Sequence, residues 1–175
     1  MAPKLYDIRE SPGKGLGSFA TRDIPRGTRI LSERPLLSID KHPYLISDLE
    51  AAFAKLSQSD QKKFFGLHSN HGQDPKYYPS ETYPSIPARE KRRIQEQHEA
   101  RIGKEKSLLS IFQTNCMEKG EGAGVFYEAA RFNHSCMPNA HFAWNADIGM
   151  ETIHTTKDVE AGAVSGPCAG NHTLY

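Results

Sequence analysis

The 175-residue chain weighs 19.5 kDa, is 37% apolar and has a mean hydropathy of −0.62, enough for one domain with a real core and short of two full domains. Its 22 basic and 21 acidic residues leave a formal charge of +1, which removes any whole-protein case for nucleic-acid binding. No apolar run reaches the ~18–20 residues that span a bilayer. The N-terminal stretch has no apolar signal core, and Cys116, Cys136 and Cys168 are too few for a disulfide scaffold, so a reducing nuclear or cytoplasmic compartment is expected.

Along the first forty residues the pattern is β. Leu5, Tyr6 and Ile8 lie in a short polar–apolar segment closed by the turn cluster Ser11-Pro12-Gly13, and Gly17-Ser18-Phe19-Ala20 predicts a second strand. At Ile24-Pro25-Arg26-Gly27 proline pre-sets φ and glycine admits φ > 0, so the chain turns. Arg29 to Ile39 reads as a strand broken or edge-placed at Pro35. Helical spacing starts near residue 45, where Ser47-x-x-Glu50 forms a capping-box pattern ahead of Leu49, Ala52, Phe53 and Leu56. A second short helix is predicted over Asp60 to Phe65.

Residues 68–88 carry Pro75, Pro79, Pro84 and Pro87 among Tyr77, Tyr78 and Tyr83, which predicts an ordered loop or an exposed connector. The charged stretch from Arg89 to Lys106 reads as a solvated helix whose face could also meet a local acidic partner. Its apolar positions, Ile94 and Ile102, are sparse, and it gains burial only toward Leu108, Leu109 and Phe112. Gly103 weakens it by about 1 kcal/mol relative to alanine. Strands are predicted at Val125-Phe126-Tyr127, Ala140 to Trp144 and Met150 to Thr156, then a turn over Asp158 to Gly162. After Gly162 the chain carries almost no strand-forming pattern.

Three constellations could carry chemistry. Gly13-Lys14-Gly15-Leu16-Gly17 is either an ordinary β-turn or a place where backbone amides approach a ligand. It lacks the Gly-Lys-Ser/Thr of a Walker loop and does not lead from a strand into a helix. Arg131-Phe132-Asn133-His134-Ser135-Cys136-Met137-Pro138-Asn139, read alone, is a polar turn packed by Phe132. His134 and Cys136, two apart on an extended chain, sit roughly 6–7 Å from each other at ~3.3 Å per residue, beyond the reach of a nucleophile and its base. For metal, His68-x-x-His71 and Cys168-x-x-x-His172 are the close pairs, with Cys116 and Cys136 apart from them. Structural zinc takes four ligands in paired spacings, so no metal is expected.

Together these motifs resemble the SET-domain protein-lysine methyltransferases of the fungal, SMYD-like kind. Gly15-Leu16-Gly17-Ser18-Phe19-Ala20-Thr21, followed by Ile24, Gly27, Ile30, Glu33 and Pro35, matches the family's opening G-x-G turn, small apolar strand and glutamate-x-proline. Arg131 to Asn139 matches its R-F-N-H-S-C-x-P-N throughout, and Thr155 to Gly162 is similar to the segment leading into its last core strand. The resemblance implies an α+β architecture: a β-rich SET fold of short strands over residues 1–162, with a variable, largely helical insert at about 41–120 and an atypical tail at 163–175. It also implies methyl transfer from S-adenosylmethionine (AdoMet) to a lysine of a protein substrate, histone or non-histone, with no direct nucleic-acid or membrane partner.

By the same resemblance, Lys14, Gly15, Leu16 and Gly17 touch the cofactor mainly through their backbone. Arg131 and Phe132 belong to the cofactor-binding segment, Asn133 holds the methionine amino end, and His134 offers backbone near the adenine. The substrate lysine would enter a narrow channel from the opposite face.

Beyond Gly162 the chain departs from the family. The expected Glu-Glu-apolar strand ending in an active-site tyrosine is not found, no tyrosine stands between Gly162 and Leu174, and Tyr175 lies too far along to take the role. A cysteine-rich zinc segment is missing too, and Cys136, a zinc ligand in many relatives, is expected to be a small buried thiol. The expectation is a SET domain incomplete or altered at its C-terminus, impaired as an enzyme, with no catalytic residue assigned. The alternative is an inactive remnant that binds cofactor or protein. Loss of a covering layer predicts exposed apolar surface after Asn133.

Overall fold

The computed structural model describes residues 4–77, 84–135 and 137–165. The 78–83 part of the proline-rich connector, Cys136, and the tail from 166 on lie outside them, and with them the readings placed on Cys168, His172 and Tyr175. The architecture is α+β. Two compact units divide the chain, residues 1–34 with 128–175, and residues 35–127.

The first unit holds two three-stranded antiparallel sheets among the described residues. In one, β1 (Tyr6–Ser11) and β2 (Gly15–Ala20) form a hairpin in register from Tyr6 opposite Ala20 to Ser11 opposite Gly15. The turn closes when the Lys14 amide donates to the Ser11 carbonyl at 2.9 Å, and Gly13 and Gly15 supply its positive φ, +73° and +67°. In the other sheet β8 (Met150–Thr155) lies between β3 (Arg29–Glu33) and β7 (Ala140–Asn145). Tyr6, Ile24, Phe132, Ala140 and Ile153 fill this unit's core. Ala140 is buried and Met137 is 79% exposed, so the apolar exposure expected after Asn133 is local.

Over residues 163–165 the structure shows pairing that the sequence pattern does not predict. Gly162 turns at φ +82°, its amide donates to the Ala20 carbonyl at 2.8 Å, and the Ala20 amide donates to the Ala163 carbonyl at 3.0 Å. A two-residue strand, Val164–Ser165, thereby adds to the free edge of β2, opposite Phe19 and Ser18. Its pairing uses backbone groups that any non-proline residue supplies, which is why side-chain patterning does not announce it.

The second unit contains a sheet in which β6 (Gly122–Val125) lies between β4 (Leu37–Ile39) and β5 (Cys116–Lys119). The stretch from Arg29 to Ile39 is thus two strands, β3 and β4, parted at Pro35 where no amide can donate. Neither β5 nor the hairpin it forms with β6 is foreseen by the sequence, and the strand expected at Val125-Phe126-Tyr127 ends at Val125.

Among the described residues, four α-helices complete this unit: α1 (Ile46–Phe53), α2 (Gln58–Phe65), α3 (Ala88–Ile102) and α4 (Leu108–Asn115). Helix α1 starts before Ser47, so Ser47 and Glu50 are not its capping box. Asp48 accepts the Leu45 amide at 3.0 Å and Glu96 accepts that of Ile46 at 2.8 Å, satisfying two of the donors every helix start exposes. The expected single charged helix is two, because α3 stops at Gly103 and Ser107 caps α4 through the Ser110 amide at 3.1 Å. Leu49, Phe64, Leu67, Ile111 and Phe112 make the core. No helix among the described residues is long and apolar enough to cross a membrane.

Candidate cofactor site

The site grows from β2. Strand alternation puts Gly17 on the face opposite Ser18, and a Cβ built on Gly17 would lie 2.8 Å from the Asn133 amide nitrogen. Glycine is therefore what lets Asn133 reach the strand. The Asn133 Nδ2 donates to the Leu16 carbonyl at 3.3 Å, across 117 residues of sequence. Nothing lies within 4 Å of a Cβ built on Gly13 or Gly15, so the backbone of the turn is open at both glycines. Lys14 is exposed, and Leu16 is 42% exposed.

Asn133 is held from behind by a short 3₁₀ turn, Ala129–Arg131, closed when the Phe132 amide donates to the Ala129 carbonyl at 3.0 Å. At the head of that turn sits Glu33, the last residue of β3. Its carboxylate accepts the Glu128 amide at 3.0 and 3.1 Å and the Ala129 amide at 2.9 Å. The side chain of Glu128 takes the Tyr6 hydroxyl and the Lys4 ammonium, the latter at 2.6 Å. Burial pushes the Glu128 carboxyl up, but the bonds from Lys4 and Tyr6 outweigh it and hold it below the usual range. Burial first, and then Glu128, pushes the Tyr6 hydroxyl well above its ordinary value, so it stays protonated as a donor.

Of the segment from Arg131 to His134, the Phe132 ring is committed to the core, edge-on to Tyr6 at 4.9 Å between centroids. Arg131 is buried, Asn133 is half-buried and His134 is exposed. Lys14, Gly15, Leu16 and Gly17 thus lie in one unit with Arg131, Phe132, Asn133 and His134, and Leu16 and Asn133 touch. Among the described residues no histidine, cysteine and carboxylate side chains cluster so as to hold a metal ion, and Cys136, Cys168 and His172 lie outside them. The His68 carbonyl accepts the Asn115 amide at 2.8 Å, His71 Nδ1 lies 3.1 Å from the Ser69 hydroxyl, and burial pushes the Cys116 thiol up to about 11.

The SET domain family matches residues 15–163. This chain belongs to the SET-domain family. It is 27% identical over 160 residues to the Schizosaccharomyces pombe histone-lysine N-methyltransferase set5, covering 91% of this chain and 40% of that protein. Its identity to a SET domain-containing protein of Acanthamoeba polyphaga mimivirus is 25% over 169 residues, 85% of this chain and 60% of the relative. The chain therefore spans about half the length of the curated relatives it matches. Among solved structures, Rubisco LSMT bound to AdoMet superposes with a TM-score of 0.60 at 15% identity, over 98% of this chain and 50% of that one, which shows the SET fold.

Sequence reasoning missed Glu33 and Glu128 as parts of this candidate site. Glu33 stands in the glutamate-x-proline motif, a usable signal, but its targets are 95 and 96 residues away. Buried β8 residue Glu151 faces it, 0% exposed and with neither carboxyl oxygen hydrogen-bonded among the described residues.

Proposed function

We propose that this chain binds AdoMet where the Gly13-to-Gly17 turn meets Asn133, and that its reaction is methyl transfer to the side-chain amine of a protein lysine. The observation that supports this most is the Leu16–Asn133 contact, which joins the two motifs into one cradle. The residues present fit the cofactor: bare glycine backbone offers amides and carbonyls, and the Asn133 carboxamide beside them suits an amino acid's charged end. Of the relatives, set5 is named a histone-lysine N-methyltransferase, which favours a protein substrate met in the nucleus or cytoplasm. Residues 1–162 are read as the SET elements, interrupted by a variable insert at about 41–120.

AdoMet supplies a methyl group already activated on a sulfonium, so the chain's task is positioning rather than acid–base work. A lysine of pKa ≈ 10.4 is neutral about once in 2,500 molecules at pH 7, and a water-poor channel favours that neutral form. A second reading is cofactor binding without transfer. It is favoured by residues 163–174, which hold no tyrosine to orient the amine.

Calorimetric titration with AdoMet, paired with labelled AdoMet and mixed histone or ribosomal proteins, separates the two. Wild type is expected to bind, and Asn133→Ala to lose about tenfold or more, the value of one hydrogen bond to a charged group. Binding with transfer supports the enzyme, and binding without transfer supports the second reading. A folded wild type that does not bind overturns both.

A further inference from the structure

We propose that Glu33 is a positioning residue for Asn133, and that the buried Glu151 beside it holds a proton whose loss loosens the cofactor cradle. The proposal rests on the AdoMet reading of that cradle. Glu33 and Glu151 are direct partners in the β3–β8 register, so their side chains rise from the same face of the sheet. Glu33 has two backbone amides to accept, from Glu128 and Ala129. Glu151 has no hydrogen-bond partner for either oxygen among the described residues and no exposure to water.

Two carboxylates so placed do not both ionise at low cost. The charge goes to Glu33, whose two amide donors favour the ionised form, and the proton goes to Glu151. Burial, and secondly the charge of Glu33, push the Glu151 carboxyl up to about 7. Other elements bring further charges to this corner. Glu128 is paired with the Lys4 ammonium and accepts the Tyr6 hydroxyl, Arg34 reaches toward the β7–β8 turn at Gly149, and Arg131 is buried in the 3₁₀ turn. Opposite Glu151 on β7 stands the uncharged Trp144.

The consequence runs through covalent neighbours. Glu33 caps the turn at residues 128 and 129, the turn ends at Phe132, and Asn133 follows. When Glu151 ionises, repulsion drives the Glu33 carboxylate off its amides, and the turn that aims Asn133 at Leu16 loses its cap. Cofactor affinity then falls as pH rises through neutrality.

The test is AdoMet affinity by calorimetry from pH 6 to 8.5 in wild type, Glu151→Gln and Glu33→Gln. Wild type should weaken by about three- to tenfold across that range beyond any slope that both proteins share. Glu151→Gln, which cannot ionise, should lose that extra slope and keep only the shared one. Glu151→Met should do the same where the amide is poorly tolerated. Glu33→Gln should bind about tenfold more weakly at every pH, with Glu33→Asp recovering part of the loss. Equal slopes in wild type and Glu151→Gln, or wild-type affinity in Glu33→Gln, overturn the proposal.

Hydrogen-exchange protection of the Glu128 and Ala129 amides, measured without cofactor, reads the pair directly. It should drop above pH 7 in wild type and hold in Glu151→Gln, and a drop common to both also overturns the proposal. A wild type that binds no AdoMet yet shows the wild-type drop indicts the cofactor reading and leaves the carboxyl pair standing.

Discussion

Gly17 is the position where one methyl group has the most to disturb. An added Cβ would meet the Asn133 Nδ2 at 2.8 Å, the Ser11 Cβ at 3.1 Å and the Phe19 ring at 3.4 Å. The nearest of these is the tip of a side chain that can swing, so Gly17→Ala should cost only about 1 kcal/mol of stability while displacing Asn133 and weakening AdoMet binding. Urea unfolding alongside titration separates the two effects; unchanged affinity would remove Asn133 from the cofactor's contacts. At Glu151 the effect is on stability against pH. Its carboxyl stands at about 7 against an ordinary value of 4.5, so the folded chain keeps a proton that the unfolded chain releases. That contribution is complete below about 4.5 and is lost as pH rises through about 7. Relative to Glu151→Gln, wild type should lose about 1–3 kcal/mol between pH 4.5 and 8, read from urea midpoints. The glycines and the R-F-N-H run were legible as single residues. The partnership of Glu33 with Glu151 was not, because a carboxyl's burial depends on which strand lies opposite.

Among the elements, the β5–β6 hairpin of the second unit shows what local pattern leaves out. Its sequence, with Gly120, Gly122 and Gly124, has little strand propensity, yet Gly122 is enclosed: a Cβ there would stand 1.9 Å from the Ile39 carbonyl oxygen of β4. Backbone cannot swing aside as Asn133 can. Gly122→Ala is therefore expected to destabilise by about 3 kcal/mol, the upper end for overpacking, with a thermal midpoint falling accordingly. An alanine variant as stable as wild type would show that β4 and β6 are not so close. The helices are read better from sequence than their ends are. The apolar spacing over Leu49, Ala52 and Phe53 and the apolar run in α4 were visible. The cap of α1 was not, since one of its two acceptors, Glu96, comes from another helix.

For the whole chain, the proposed cofactor binding implies a link to folding. A ligand at a hundred times its dissociation constant stabilises by about 2.7 kcal/mol if it binds the native state alone. For a chain of this size that is a rise of roughly 5–10 °C in Tm. Saturating AdoMet should produce it in wild type and not in Asn133→Ala; an equal rise in both would place the cofactor elsewhere. The sequence by itself determined the family, through two motifs too long to match by accident, together with the strand-rich ends and helical middle that hydrophobic spacing writes into any chain. Tertiary structure decided which residues meet: the amide of Asn133 over the bare backbone of β2, the edge strand after Gly162, and the buried carboxyl opposite Glu33. The physical reason is that spacing records contacts a few residues apart, whereas these are made by backbone groups and single polar atoms more than ninety residues away.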